Sequence, residues 1–192
     1  MSEIEVKKIL METGAMLQGH FVLTSGMHSG QYIQCAQVLQ YPNHAERLCH
    51  ELARRFKDDS ISTVVAPAVG GILVAYEVAR GLGVRALFTE RENGKVIFRR
   101  GFSIKPGEKV LVVEDVVTTG GSVVETMDTV RRFGGEVVGV GLLVDRSGGR
   151  VSFDVQQEVL LTLDASSATY KPEECPLCRD GVPVTKPGSR KA

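Results

Sequence analysis

What this chain lacks narrows it first. It has no net charge: 23 Lys and Arg balance 23 Asp and Glu over 192 residues. A protein that grips nucleic acid through a basic surface needs an excess of cations, so that class is disfavoured. No apolar run approaches the roughly 18 residues a membrane span requires, and the opening Met-Ser-Glu-Ile-Glu carries acids where a signal peptide carries cations. A cytoplasmic protein with no membrane and no nucleic-acid partner is expected. There are only four cysteines, Cys35, Cys49, Cys175 and Cys178, too few for a disulfide scaffold. A P-loop (G-x-x-x-x-G-K-[ST]) is missing. The nearest approach to G-x-G-x-x-G, Gly81-Leu-Gly83, has no third glycine and precedes a strand pattern instead of following one. At 43% hydrophobic the chain is not of disordered type and can bury a core as one domain, 1–192.

What is present concentrates at Val110-Leu-Val-Val-Glu114-Asp115-Val116-Val117-Thr118-Thr119-Gly120-Gly121-Ser122. Four apolar residues read as a buried strand, with two carboxylates expected at its end. A polar Gly-rich turn and a helical pattern from about 122 to 133 follow. Side chains alternate along a strand, so Glu114 and Asp115 start on opposite faces, and a turn beginning there would bring both to one rim. Carboxylates only accept hydrogen bonds, which suits the adjacent hydroxyls of a ribose. The turn offers backbone N–H groups and the hydroxyls of Thr118, Thr119 and Ser122. The positive end of the helix favours a phosphate there. The bland alternative is a strand–turn–helix that happens to have a polar turn.

This segment closely resembles the diphosphosugar signature of the type I phosphoribosyltransferases, which use 5-phosphoribosyl diphosphate (PRPP). Four more segments are similar to the orotate branch of that family and together span most of 18–147. They are Gly19 to Tyr32, with its Ser25-Gly26-x-x-Ser29 hood; Ala66-Pro67-Ala68-Val69-Gly70-Gly71; the basic stretch 91–109; and Val144-Asp145-Arg146-Ser147. The resemblance implies transfer of the phosphoribosyl group from PRPP to orotate, giving orotidine 5′-phosphate and diphosphate in pyrimidine synthesis. It assigns Ala68, Val69, Gly70 and Gly71 to the diphosphate and the signature, with Val116 and Val117, to PRPP. Glu114, Asp115 and Lys95 take the catalytic roles. Thr118 and Arg146 fall to orotate, whose carboxylate suits the planar fork of Arg146. The other reading of Arg146 is a surface residue paired with Asp145. Tyr32 and Ile33 either cover the ring or pack a core. Mg²⁺ is implied, held mainly through PRPP with no dedicated protein ligand, as is a homodimer with shared active sites.

The basic stretch has six cations, Arg91, Lys95, Arg99, Arg100, Lys105 and Lys109, against Glu92 and Glu108. It reads either as a solvated polar hairpin or as a loop closing over diphosphate, with Arg91, Lys95, Arg99 and Arg100 contacting PRPP. Some residues depart from the family pattern. Thr24 and Gly70 stand where lysines occur, Ile97 stands in place of a histidine, Glu92 replaces a lysine, and the acidic pair is Glu-Asp instead of Asp-Asp. Arg99 and Arg100 are expected to take over part of the lost charge. Two rivals remain: a purine or xanthine phosphoribosyltransferase with another base pocket, and a regulator that binds PRPP without catalysis.

The expected fold is α/β, a mostly parallel central sheet flanked by helices, because strand and helix patterns alternate from 44 to 144. A cap helix over Glu3 to Leu17 and a small N-terminal hood fill 1–40, and the core is 41–147. The Pro- and Gly-rich tail 170–192 wraps the domain or frays. Its Cys175-Pro-Leu-Cys178 pair is open to three readings: structurally neutral, two of the four ligands of a zinc site, or a redox pair. His20, His28, His44 and His50 show no metal-ligand spacing along the sequence.

Overall fold

A computed structural model describes residues 1–23, 25–57, 59–164 and 169–186. Its centre is a six-stranded sheet in the order β5-β4-β3-β6-β7-β8. The strands are β3 (Thr63–Pro67), β4 (Arg85–Glu92), β5 (Lys95–Phe98), β6 (Lys109–Val117), β7 (Glu136–Asp145) and β8 (Gln156–Thr162). All neighbours pair in parallel except the edge strand β5, which returns antiparallel along β4. Helices α3 (Pro42–Arg54), α4 (Gly71–Leu82) and α5 (Gly121–Arg132) provide the connections.

Alternation along the strands divides the core in two. Val64, Ala66, Leu111 and Val113 join the cluster under α1 (Glu3–Glu12), α3 and α4, whereas Val65, Val110 and Val112 join the cluster under α5. Parallel strands buried on both faces read as continuous apolar runs, which is why Thr63–Pro67 and the first half of β6 contain so few polar residues. Helix α3 starts with proline in its first turn and buries Ala45, Leu48, Cys49, Leu52 and Ala53, one helical face. It sits close to β7 because that strand carries glycines beneath it. A Cβ on Gly139 would lie 2.7 Å from the Phe56 ring, and one on Gly141 would lie 3.1 Å from Leu52.

Two expectations are corrected and one open alternative is decided. The cap helix stops at Glu12, and Gly14, with φ of +71°, turns the chain into strand β1 (Met16–Val22). Met16 and Leu17 therefore lie on that strand and not on the helix. Next, β6 runs on to Val117, so Glu114 and Asp115 lie within the strand and not at its end. Third, the tail up to Lys186 wraps the hood. β1 pairs with β2 (His28–Ile33), and β9 (Thr169–Tyr170) adds to β2, making a three-stranded hood sheet. Thr185 then exchanges backbone hydrogen bonds with His20 and Val22. Cys175 is the N-cap of the short helix α6 (Pro176–Arg179), so the Cys-x-x-Cys pair does open a helix. Residues 187–192 lie outside the described part of the tail.

Candidate active site

The sheet topology has one switch point. From β3 the chain passes through α4 to β4 on one side, and from β6 through α5 to β7 on the other. The crevice at the C-terminal ends of β3 and β6 is where such sheets bind ligands, and the two glycine-rich loops flank it.

The two carboxylates of the acidic pair lie within reach of each other at this crevice. Glu114 follows the alternation of Val110 and Val112 toward α5, where its carboxylate accepts from Ser122 Oγ at 3.1 Å. Asp115 accepts from the Val116 amide through Oδ1 at 2.9 Å. Burial holds both carboxyls above the ordinary range, and the neighbouring Asp115 charge adds to burial at Glu114, which is pushed up to about 8. Asp115 is half-buried, less open than a strand-end carboxylate would be. The loop after β3 closes against this pair. A Cβ on Gly70 would come within 2.9 Å of both Asp115 carboxylate oxygens, and one on Gly71 within 3.1 Å of Glu114 Oε1. With φ of −59° Gly70 has an ordinary backbone, so the contact with Asp115 restricts that position. It is also a reason why no lysine stands there. Ala68 donates its amide to the Thr89 carbonyl, the Ala68–Val69 peptide is cis, and Val69 is exposed.

Beyond Val117 the signature turn exposes Thr118 and Thr119. Gly120, at φ of +80°, starts α5, and a Cβ there would strike Val151 at 2.8 Å. The first amides of a helix have no partner within it, so the turn aims free N–H groups at the crevice. Ser122 is tied to Glu114 and does not point freely at a phosphate.

A cavity of about 390 Å³ adjoins this turn, lined by Leu23, Ser25, Thr118, Arg146, Ser147, Arg150, Val151 and Thr169. Arg146 follows β7, and its amide is anchored on the Val117 carbonyl at 2.8 Å. Burial lowers the pKa of its half-buried guanidinium. Asp145 is buried and accepts from the amides of Ser147 and Gly149 at 2.6 and 2.9 Å. Among the described residues no ion pair joins it to Arg146. Asp145 shapes the loop, which leaves the Arg146 fork available to a ligand.

The family model described as "Phosphoribosyl transferase domain" matches residues 35–164. The chain belongs to the phosphoribosyltransferase family. Within it, the chain is 61% identical over 191 residues to the orotate phosphoribosyltransferase of Desulforamulus reducens, covering 100% of this chain and 99% of that one. It is 53% identical over 185 residues to that of Thermotoga maritima, covering 96% and 98%. Among solved structures it is similar to orotate phosphoribosyltransferase from Aeropyrum pernix, with TM-score 0.66 and 29% identity over 82% of this chain and 93% of that one. The Mycobacterium tuberculosis enzyme, at 23% identity and TM-score 0.71, shares the fold, over 84% and 96%. These relatives put the chain in the orotate branch of the family.

Other residues assigned from the family pattern fall in different places. Ile33 is buried in the core cluster under α1 and α3 and does not line the cavity. Tyr32 is half-buried in β2 and lies outside the cavity lining. Its hydroxyl donates to Gln34 and its ring packs on Phe21 with 5.9 Å between centroids. The basic stretch is split. Arg91–Glu92 and β5 form a hairpin whose Asn93-Gly94 turn has φ of +50° and +78°, the conformation a two-residue hairpin turn requires. Arg91 pairs with Glu125, Arg99 with Glu92 and Arg100 with Glu90, and Lys95 is exposed. Lys105 and Lys109 belong to the other end of the strands, the N-terminal ends of β3, β4 and β6, where the Lys105 amide, Arg85 and Thr63 gather on Glu108. Thr24 lies outside the described residues. The cavity residues Arg150, Val151 and Thr169 escaped the sequence reading. Their one signal is the Ser147-Gly-Gly-Arg150 run directly after Arg146.

Proposed function

We infer that this protein is an orotate phosphoribosyltransferase, joining orotate to the phosphoribosyl group of PRPP with release of diphosphate. The observation that carries the reading is the Arg146 cavity opening beside the signature turn. A guanidinium fork that ends a strand next to Thr118 suits a flat anionic base within reach of the sugar. The reaction is a substitution at the anomeric carbon through an oxocarbenium-like transition state, and it needs no protein nucleophile. Glu114 and Asp115 hold the ribose hydroxyls and stabilise the developing positive charge. The amides of the Thr118–Ser122 turn and the start of α5 take the 5′-phosphate. Gly70 and Gly71 let the diphosphate loop approach the carboxylates, and Arg146 orients orotate by its carboxylate.

Two crowded carboxylates held above their ordinary range form a site short of positive charge, which fits a divalent cation facing Glu114 and Asp115. A Mg²⁺ ion brought in with PRPP would be faced by Glu114 and Asp115 and would supply positive charge against the leaving diphosphate. Arg91, Lys95, Arg99 and Arg100 add cations as the β4–β5 hairpin closes on the diphosphate, the three arginines exchanging their present carboxylate partners for the substrate.

The active form is a homodimer whose hairpin serves the neighbouring site. Support comes from an exposed apolar stripe beside the diphosphate loop, Val69, Leu73 and Tyr76, with 83%, 50% and 61% of their surface open. The protein works in the cytoplasm. Among the described residues no helix is long and apolar enough to cross a membrane. The test is PRPP- and Mg²⁺-dependent loss of orotate absorbance, with hypoxanthine, xanthine and uracil in parallel. Turnover of orotate alone is expected. Turnover of a purine in its place would move the chain to another base, and PRPP binding without turnover of any base would make it a regulator.

A further inference from the structure

Far from the acidic pair, two segments that lie 155 positions apart in the chain meet at the back of the hood. His20 on β1 and His28 on β2 face Cys175 and Cys178 at the start of α6. One ligand atom from each lies within 4.8 Å of all the others. His20 Nε2 is 2.8 Å from His28 Nδ1, 3.5 Å from Cys175 Sγ and 3.7 Å from Cys178 Sγ, and Cys178 Sγ is 3.3 Å from His28 Nδ1. A tetrahedron with Zn–N near 2.05 Å and Zn–S near 2.3 Å has edges of about 3.3 to 3.8 Å. The nitrogen–sulfur distances already fall on those edges, and the two imidazoles need to part by only about 0.5 Å.

A second feature is independent of the cluster. His20 Nδ1 lies 2.8 Å from the Val182 carbonyl, which fixes the proton on that nitrogen and turns the Nε2 lone pair toward the thiols. Metal-bound histidines are oriented by such an outer hydrogen bond. His20 and Cys175 are 3% and 1% exposed, so the polar cluster is not a solvated surface accident.

We propose that His20, His28, Cys175 and Cys178 bind one zinc ion that clasps the C-terminal tail to the hood. Two neutral imidazoles and two thiolates form a closed, four-ligand set of structural type, with no open position for catalysis. Binding releases the two thiol protons to solvent, and no electron is transferred. The clasp also bears on the cavity. Leu23 and Ser25, which line it, lie between the two histidines in sequence, and Thr169, which also lines it, is six residues before Cys175. Zinc thus holds both covering segments of the cavity from behind. That last consequence rests on the base-site reading; the metal itself does not.

The test begins with tag-free wild-type protein purified under reducing conditions from zinc-supplemented culture. Elemental analysis should give about one zinc per chain, and X-ray absorption should fit two nitrogen and two sulfur ligands near 2.0 and 2.3 Å. Cys175→Ser/Cys178→Ser should fall below about a tenth of that content, whereas Cys178→His, which keeps four ligands, should retain it. Removing the metal with a chelator should lower Tm by at least about 5 °C. Wild-type protein with less than about a tenth of an equivalent of zinc, or zinc retained by the double serine variant, would overturn the proposal. Because metal content is read without any substrate, its outcome is independent of the assay that tests the proposed function. If the clasp also sets the cavity, the double variant should raise the orotate KM while leaving the PRPP KM within about twofold.

Discussion

At the scale of single residues, the acidic pair and its glycine neighbour lead to three expectations. Asp115→Asn should fold normally and lose roughly 10²-fold or more in turnover, the range for removing one preorganised electrostatic group; steady-state kinetics with a thermal melt checks both parts. Gly70→Ala keeps an allowed backbone, so its Tm should barely move. Its methyl group meets the Asp115 carboxylate at 2.9 Å, and displacing that carboxylate should cost roughly 10-fold or more in activity. Glu114 gives a pH signature in the protein free of substrate and magnesium. Its folded pKa is raised to about 8 from an ordinary 4.5. The folded state therefore holds a proton that the unfolded chain releases, and this stabilisation is full below about 4.5 and lost as pH rises through about 8. Glu114→Gln removes that loss and can still accept from Ser122. Relative to wild type, its Tm should gain a few degrees between pH 5 and pH 8.5, and an unchanging difference across that range would show that Glu114 is not held protonated. The pair itself was legible at the end of an apolar run, but alternation put its members on opposite faces, whereas their side chains reach each other. The contact that keeps Gly70 a glycine was not legible, since it joins the loop after β3 to a strand residue 45 positions away.

At the scale of elements, the parallel core was readable because strands buried on both faces are written as unbroken apolar runs, such as Thr63–Pro67 and Val137–Val144. Elements with weaker signals were not. The first three residues of β8, Gln156, Gln157 and Glu158, are polar and mask the Val159-Leu160-Leu161 segment that enters the core. The hood strand β1 was half lost to a helical spacing because Met16 and Leu17 continue the period of α1. Only Gly14, in a left-handed conformation, breaks that period. The basic stretch looked like one unit in sequence, but the structure sends its two halves to opposite ends of the strands. Under the proposed function only the half on the β4–β5 hairpin serves the diphosphate. Lys95→Ala should therefore reduce turnover by roughly 10²-fold, and Lys105→Ala should leave it within about twofold, since Lys105 sits at the far end of the strands. Equal losses in the two variants would mean that the stretch acts through its net charge and not through the hairpin.

At the scale of the whole molecule, subunit mixing tests whether the hairpin crosses to its neighbour. Lys95→Ala and Asp115→Asn should each be nearly inactive. After exchange, about half the dimers are mixed and each carries one intact site, so activity should recover to about a quarter of wild type. No recovery after verified exchange would mean that each hairpin serves its own subunit. The more basic claim is that one rim of the sheet brings together two separable sites, a base cavity under Arg146 and a sugar site at the signature turn. The measurement that tests it most directly is the pair of Michaelis constants of Arg146→Gln. The account predicts an orotate KM raised by about 10- to 100-fold, because a carboxylate loses a charged, partly desolvated partner. The PRPP KM should stay within about twofold. An equal rise in both constants, or no change in the orotate constant, would contradict it.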